Sequence, residues 1–290
     1  MAALVALLVL TASGWMLPFV IAARNPRRLV LGAAALCAAA CLLAGGSALG
    51  APYSAERPQR LMLFHTRRTL HAPLGAPAAP QEDVFYWIPD LDVNTPHSVD
   101  ADVPEMAAAQ AVSGAECARW LYCGAPYYLP ALSLVGASHR LPARGAPLVR
   151  LRARLRVAPL NETVHELLIE WTGPSHAVAI VSPAEGCRVS WSSAVAAPQE
   201  GPRWGARRTY FFLLHDARGA AAGAGAAWRL ALHVQHARGA APPHWADVSL
   251  AGHALFGADA LQAEHRRLLA ALPRWVAGTG WGVDLHLYRV

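Results

Sequence analysis

Thirteen histidines are the residues with the most obvious capacity for chemistry in this 290-residue sequence. A zinc peptidase commonly places two of them in a His-Glu-x-x-His helix, and a structural zinc site commonly uses Cys-x-x-Cys pairs. Neither pattern occurs. His233 and His236 lie three apart in a predicted strand, where that spacing puts them on opposite faces. The sequence therefore predicts no catalytic residue and no metal ligand in this chain.

A serine adjoins a histidine in Gly173-Pro174-Ser175-His176, as a nucleophile and its base would require. The segment lacks the Gly-x-Ser-x-Gly elbow of the α/β-hydrolases, and a tight turn explains its glycine and proline. Phosphate-binding glycine loops are missing, and the acidic residues are few and scattered. An independent enzyme is the least favoured of the functions considered.

The cysteines and one asparagine indicate a non-cytoplasmic location. Cys117 and Cys123 are close enough to close a short disulfide loop, while Cys187 either is the odd thiol or replaces one of them. Asn161, followed by Glu162 and Thr163, is a candidate N-glycosylation site.

Residues 117–130 interleave two cysteines and two prolines with aromatic side chains. This composition predicts a stapled, partly buried loop. Trp120, Tyr127 and Tyr128 are expected to pack in it, and a ligand-stacking surface is the alternative.

Strict alternation in residues 149–157 places Arg150, Arg152, Arg154 and Arg156 on one face of a strand. We expect this arginine face to be solvated or to protect a sheet edge. Contact with acidic lipid headgroups or a protein partner is the alternative. The net charge of +6 does not indicate nucleic-acid binding, because all basic residues are Arg, as GC-rich coding would produce, and no nucleic-acid module is present.

The elements that must position these residues begin with two apolar runs, residues 2–23 and 29–49, each long enough to cross a bilayer. Three arginines in residues 24–28 predict a cytoplasmic turn, which places residues 51–290 in a lumen or outside the cell. A signal peptide in the first run is the alternative, but no positive region precedes that run. Ala33, Cys37, Cys41 and Gly45 form a small-residue stripe that suits a larger helix bundle. Membrane lipid and other transmembrane helices are therefore the expected partners of this hairpin.

In the remainder, residues 51–290, short predicted strands separated by turn signals indicate one mainly β domain. An antiparallel β-sandwich or jelly-roll-like fold is expected, with one helix at 258–272 and a hairpin across residues 172–175. The predicted strands are 60–71, 83–88, 149–157, 164–171, 176–181, 188–192, 209–215, 228–236, 246–254 and 284–290.

Two membrane helices followed by residues 60–71 (RLMLFHTRRTLH), 123–130 (CGAPYYLP) and 172–176 (TGPSH) resemble the C-terminal part of the endoplasmic reticulum metallopeptidase family. Members of that family have a lumenal two-zinc peptidase domain, a multi-helix membrane region and a lumenal β-rich C-terminal domain. The resemblance covers essentially the whole chain. None of the family's zinc ligands has a counterpart here, so no catalytic residue is carried over and zinc is implied only for the peptidase domain.

The resemblance implies a non-catalytic module in the endoplasmic reticulum membrane, multi-pass, with its β domain in the lumen. It would support or position a peptidase domain that lies outside this chain. The alternative is a free-standing lumenal β-sandwich that binds glycan or peptide through Trp120, Tyr127 and Tyr128.

Overall fold

A computed structural model describes residues 14–15, 18–46, 52–74, 77–129, 134–216, 226–237, 242, 244–257 and 260–290. The chain forms two compact units, Met1–Arg57 and Pro58–Val290.

The first unit contains helix α1, Pro26–Gly46. Its stretch Pro26–Leu43 is long and apolar enough to cross a membrane, and within the described ranges it is the one helix that meets this criterion. The second predicted run is therefore helical as far as it is described. Of the first run, residues 14–15 and 18–22 are helical, residue 23 is not, and residues 2–13 and 16–17 lie outside the described residues. The two-helix hairpin stays a prediction.

Within the described residues, the second unit is built mainly of strands, with two short α-helices. The strands are β1 Gln59–Leu70, β2 Gln81–Pro89, β3 Gln110–Ala111, β4 Ser138–Pro142, β5 Arg152–Pro159, β6 Val164–Gly173, β7 His176–Pro183, β8 Arg188–Ser192, β9 Tyr210–His215, β10 Ala226–Gln235, β11 Ala246–Ala254 and β12 Val276–Arg289. The helices are α2 Gly114–Arg119 and α3 Ala263–Ala270, with 3-10 turns at His97–Val99, Pro104–Ala108 and Leu121–Gly124.

Two sheets form the domain. The larger has the order β3-β4-β2-β1-β12-β11-β7-β9, and the smaller has the order β5-β6-β10-β8. The pairs are antiparallel except β1 with β12, which run parallel in the middle of the larger sheet. The mainly β class is confirmed, but the expectation of a purely antiparallel sandwich is wrong for this sheet, and a jelly-roll arrangement is not confirmed.

The predicted hairpin across residues 172–175 is also wrong. Strand β6 pairs with β5 and β10 in the smaller sheet, whereas β7 pairs with β11 and β9 in the larger one. The chain crosses between the sheets at Pro174. A Cβ atom on Gly252 would come within 2.9 Å of the Pro174 ring, so the crossing needs a glycine beneath it. A tight turn signal alone cannot distinguish a hairpin from such a crossing.

Alternating side chains divide the interior of the described residues into three large apolar clusters and a small one of Val149, Ala254 and Ala260. One lies between the two sheets and contains residues such as Leu167, Leu230 and Leu250. On β1, Leu61 and Leu63 point into a second cluster, beneath α3. Phe64, the next residue in sequence, joins an aromatic cluster on the opposite face of the larger sheet, and Met62 packs against the same cluster.

The last strand, β12, starts at Val276, well before the predicted residue 284. The prediction missed its first part because the glycines there are typical of a loop. They instead let α3 approach the sheet closely. A Cβ on Gly278 would lie 2.6 Å from Leu272 Cδ1, and one on Gly280 would lie 2.6 Å from His265 Nε2. Strand β4, which pairs with β2, was not predicted.

Candidate functional site

The stapled segment, residues 114–129, lies over the aromatic face of the larger sheet. Helix α2 starts after Ser113, whose hydroxyl oxygen accepts a hydrogen bond from the backbone N–H of Glu116 at 3.2 Å. A disulfide joins Cys117 on this helix to Cys123 in the following 3-10 turn. The structure thus realises the first of the two pairings left open by the sequence, and Cys187 is a free, buried thiol.

Left-handed backbone marks the centre of the stapled segment. Tyr122, Cys123 and Gly124 have φ values of +48°, +59° and +58°, and the first two are non-glycine residues for which this conformation is unfavourable. Their backbone carbonyls turn inward as a result. Sequence reasoning could not find this feature, because neither tyrosine nor cysteine signals a positive φ.

Two arginines, Arg68 and Arg140, donate hydrogen bonds to the backbone carbonyls of Gly124 and Cys123. The Arg68 guanidinium donates to Asp83 Oδ1 at 2.9 Å and to Glu116 Oε1 at 2.8 Å. The Arg140 guanidinium donates to the Cys123 carbonyl at 2.7 Å and also to Glu116. The two guanidinium carbons lie 5.3 and 4.6 Å from the ring centre of Phe85.

The charges in this cluster satisfy one another. Burial would raise the pKa of Glu116, but hydrogen bonds from Arg140 and Arg68 outweigh burial and lower it. Burial lowers the pKa of Arg140, and the nearby Arg68 adds to that effect. The cluster therefore anchors the stapled segment, and it presents no free acid or base to a substrate.

The three aromatic residues proposed for packing or ligand stacking differ in how far they are buried. Tyr127 is buried, donates its hydroxyl hydrogen to the Leu134 carbonyl, and packs 4.8 Å from Trp87 between ring centres. Burial raises the pKa of Tyr127 to about 12. Tyr127 is a packing residue rather than a stacking platform.

Tyr128 and Trp120 are half-buried at different places. The Tyr128 ring lies 5.3 Å from both Phe64 and Trp281. The Trp120 ring carries Arg119 above it at 5.1 Å. All three side chains belong to the aromatic cluster on this face of the larger sheet, Tyr127 as a buried member and the other two packed against it.

A second charged cluster, which sequence reasoning missed, joins β1 to β12. Arg67 donates to both carboxylate oxygens of Asp284, which is 0% exposed, and the Leu151 backbone N–H donates to the same carboxylate at 2.7 Å. His286 Nε2 lies 3.4 Å from that carboxylate. Burial would raise the pKa of Asp284, but His286 and Arg67 lower it. A lone acid in an apolar strand was the signal available in the sequence.

His286 continues this cluster to a second imidazole. His71 Nε2 lies 2.8 Å from His286 Nδ1, and the His71 ring stacks on Tyr288 with 4.1 Å between ring centres. Burial and the charge of His286 lower the pKa of His71 to about 4. The pair joins the ends of two neighbouring strands, which is a structural role.

The side chains present do not fit a zinc centre of the peptidase type. Across the described ranges, no group of three or more His, Cys, Asp and Glu side chains converges as metal coordination requires. No catalytic step through zinc is therefore derived for this chain.

Asn161 lies exposed in the turn that joins β5 to β6. Its side-chain oxygen Oδ1 accepts hydrogen bonds from the backbone N–H groups of Thr163 at 2.9 Å and Val164 at 3.0 Å. The sequon therefore sits in an accessible Asx turn. Its glycosylation stays a prediction.

The arginine face is exposed along β5, an edge strand of the smaller sheet. Arg152, Arg154 and Arg156 share this face, as predicted from alternation, while Arg150 is exposed just before the strand. Arg229 on β10 extends the same face, and no local pattern in the sequence groups it with them. The other two clusters are internal, so this surface has the greatest capacity to bind a partner.

Comparison with known proteins identifies a matching family. The family model described as "Endoplasmic reticulum metallopeptidase 1, C-terminal domain" matches residues 56–288. The human protein endoplasmic reticulum metallopeptidase 1 is 26% identical over 288 residues, an alignment that covers 95% of this chain and 30% of the human protein. The chain thus spans about 30% of the length of this curated relative.

Among solved structures, the yeast delta-COP-I mu-homology domain gives a TM-score of 0.31 at 9% identity, covering 80% of this chain and 97% of that domain. The same yeast domain in complex with the Dsl1 WxWxV peptide gives 0.29 at 8% identity, covering 80% and 98%. TM-scores in this range do not establish a shared fold.

Proposed function

Because this chain belongs to the family of endoplasmic reticulum metallopeptidase 1 C-terminal domains, we propose that it is the non-catalytic, membrane-anchored part of such a metallopeptidase. The match over residues 56–288 carries the proposal, since the family is itself defined as the C-terminal domain of a peptidase. In this role the β domain supports or positions a peptidase domain that lies outside these 290 residues.

The location follows from the same relationship. The human relative is a protein of the endoplasmic reticulum by name, and α1 contains a stretch that could span a membrane. We propose that the chain crosses the membrane twice, with residues 24–28 on the cytoplasmic side and the β domain in the lumen. The disulfide and the exposed sequon support a lumenal location, because disulfides persist and glycans are added there.

The architecture supports a positioning role. Two guanidinium groups and a disulfide fix the stapled segment, and the parallel pairing of β1 with β12 ties the start of the domain to its end. A rigid domain of this kind can hold a neighbouring domain in one orientation.

A chimera tests the proposal. The matched C-terminal part of the human relative is replaced by this chain, and the protein level and peptide hydrolysis are compared with a human protein that lacks the part altogether. We expect the chimera to restore both above the level of the deletion. A second version, with the segment replaced by an unrelated two-helix anchor and β-sandwich, controls for mere anchoring.

Two results would overturn the proposal. One is a chimera no better than the unrelated anchor. The other is peptide hydrolysis by this chain alone with stoichiometric zinc, because an independent enzyme needs no outside peptidase domain.

A further inference from the structure

The outward face of the smaller sheet carries its positive charges in a compact patch. Arg152, Arg154 and Arg156 on β5 stand directly across from Thr172, Glu170 and Leu168 on β6. On the far side of β6, Arg229 of β10 is also across from Glu170. Glu170 is therefore flanked by Arg154 and Arg229.

These arginines line an open groove of about 620 Å³. Arg152, Arg154 and Arg229 line it, and Glu170 is the one acidic residue among its lining residues. That carboxylate already accepts a hydrogen bond from Arg156 at 3.1 Å. Three guanidinium groups thus face the groove with no carboxylate partner of their own in the described part of the chain.

The segment between β9 and β10, residues 216–225, contains one acidic residue, Asp216, which directly follows β9 and is not among the residues that line the groove. Residues 217–225 contain Arg218 and neither Asp nor Glu. Like charges held this close repel one another, and an anionic partner would relieve the repulsion.

The strand next to the groove also has an open edge. β5 is the outermost strand of its sheet, and β6 is its one strand partner among the described residues. Alternate residues on a strand repeat every ~6.8 Å, so successive arginines match alternate side chains of an extended peptide. Charged edges normally keep strands apart, but a row of arginines selects an acidic strand.

We propose that the groove of Arg152, Arg154 and Arg229, together with the free edge of β5, binds an extended acidic segment of a partner protein. The segment adds to the smaller sheet as a further strand, its backbone pairing with β5 and its carboxylates meeting Arg152 and Arg154. Arg229, two strands further in on β10, adds to the positive potential that attracts the segment. A bilayer surface fits less well, since a lipid headgroup cannot use the hydrogen-bonding groups of a strand edge. The inference rests on the proposed function only for the identity of the partner, which would be the peptidase part of the same protein.

The test uses the full chain in nanodiscs of neutral lipid and a fluorescein-labelled peptide that alternates Glu and Val. Fluorescence anisotropy should show saturable binding that weakens as salt is raised. The charge-reversed variant R152E/R154E/R229E should bind at least about tenfold more weakly. A peptide that alternates Lys and Val should not bind.

Matched variants separate the site from net charge and from misfolding. R60E/R266E/R274E makes the same change in charge at exposed arginines elsewhere in the domain, and its affinity should change less than about twofold. R152Q/R154Q/R229Q replaces the reversal if that variant unfolds, and it should also bind at least about tenfold more weakly.

The added strand has its own test. A peptide N-methylated on alternate residues keeps its charges but cannot donate to a strand edge, and we expect it to bind about tenfold more weakly. Equal binding of the methylated peptide, or equal binding by the charge-reversed variant, would overturn the proposal. The proposal would also be overturned if anionic phosphatidylserine vesicles bound through the same arginines while the acidic peptide did not bind. No peptidase domain enters the assay, so this inference and the proposed function can fail separately.

Discussion

Gly124 occupies a position where two constraints coincide. Its φ of +58° suits glycine, and a Cβ atom there would lie 2.7 Å from Nη1 of the buried Arg68. A side chain at this point would strain the backbone and displace the guanidinium that holds Glu116 and Asp83. The residue therefore links the backbone of the stapled segment to the buried charges.

Gly124→Ala should destabilise the protein by about 1–3 kcal/mol, the usual cost of a non-glycine residue held in a disfavoured conformation. Thermal unfolding of the full chain in detergent micelles measures the loss. The matched control is Gly114→Ala, because no atom lies within 4 Å of a Cβ at Gly114. An equal loss in the two variants would contradict the account.

Buried histidines make the stability of the domain depend on pH. Burial and the charge of His65 lower the pKa of His265, which is 0% exposed, from 6.5 to about 4. The unfolded chain takes up this proton near pH 6.5, whereas the folded chain resists it until near pH 4. Stability from this group is present above pH 6.5 and is lost as the pH falls towards 4.

We expect His265 to account for a loss of about 3 kcal/mol over that range, at about 1.4 kcal/mol per pKa unit. His265→Leu should flatten the dependence, since leucine suits the apolar side chains around α3 and does not titrate. Urea unfolding of the full chain between pH 6.5 and pH 4 measures the slope. A slope for His265→Leu as steep as that of the unchanged protein would refute the assignment.

At the scale of elements, the disulfide acts on the stapled segment as a whole. It closes a loop whose ends are six residues apart, and closing so short a loop contributes about 2 kcal/mol through the unfolded chain. The double variant C117S/C123S should lose about that much stability to unfolding. Without the disulfide, no cross-link would join Cys117 to the left-handed turn at residues 122–124, which presents the Cys123 and Gly124 carbonyls to Arg140.

Counting thiols checks the pairing directly. Alkylation of the denatured, unreduced chain should modify Cys37, Cys41 and Cys187, and reduction should add the remaining two. Modification of Cys117 before reduction, or protection of Cys187, would contradict this arrangement.

The strands could largely be predicted from the sequence, but their partners could not. Alternation located β5 to within three residues of its ends, because period two is a local property, and β6 and β7 were predicted to within two residues. The partner of a strand depends on distant chain, so the step from β6 to β7 read as a hairpin when it is a crossing between sheets. The first half of β12 was not predicted, because Gly278 and Gly280 are typical of loops when only the local sequence is considered. They make room for the close approach of α3, which is a tertiary contact.

The candidate site divides in the same way. The arginine row on β5 follows from alternation, whereas Arg229 joins it only through the register of β10 with β6. Arg67 and Asp284 are 217 residues apart in sequence, and a single sequence carries no sign that they meet. Tyr127 and Tyr128 are adjacent in sequence and contact the same aromatic cluster, yet Tyr127 is buried and Tyr128 is half-buried.

For the whole molecule, the orientation across the membrane gives a direct prediction. When the full chain is synthesised with microsomes, Asn161 should be glycosylated and the product should shift on endoglycosidase H treatment. Asn161→Gln should abolish the shift, and Thr163→Ala should do the same by destroying the sequon. An unglycosylated Asn161, with Cys117 labelled from the cytosolic side, would place the domain on the opposite side.

The parallel pairing of β1 with β12 has a consequence for biosynthesis. The two strands meet in the middle of the larger sheet, with contacts such as Arg67 to Asp284 spanning 217 residues. At about 5–20 residues per second, the ribosome needs roughly 10–40 s to make β12 after β1 has emerged. During that interval the backbone groups on one edge of β1 have no partner, and its apolar side chains are not yet buried. We therefore expect the nascent domain to depend on chaperones until synthesis reaches residue 289.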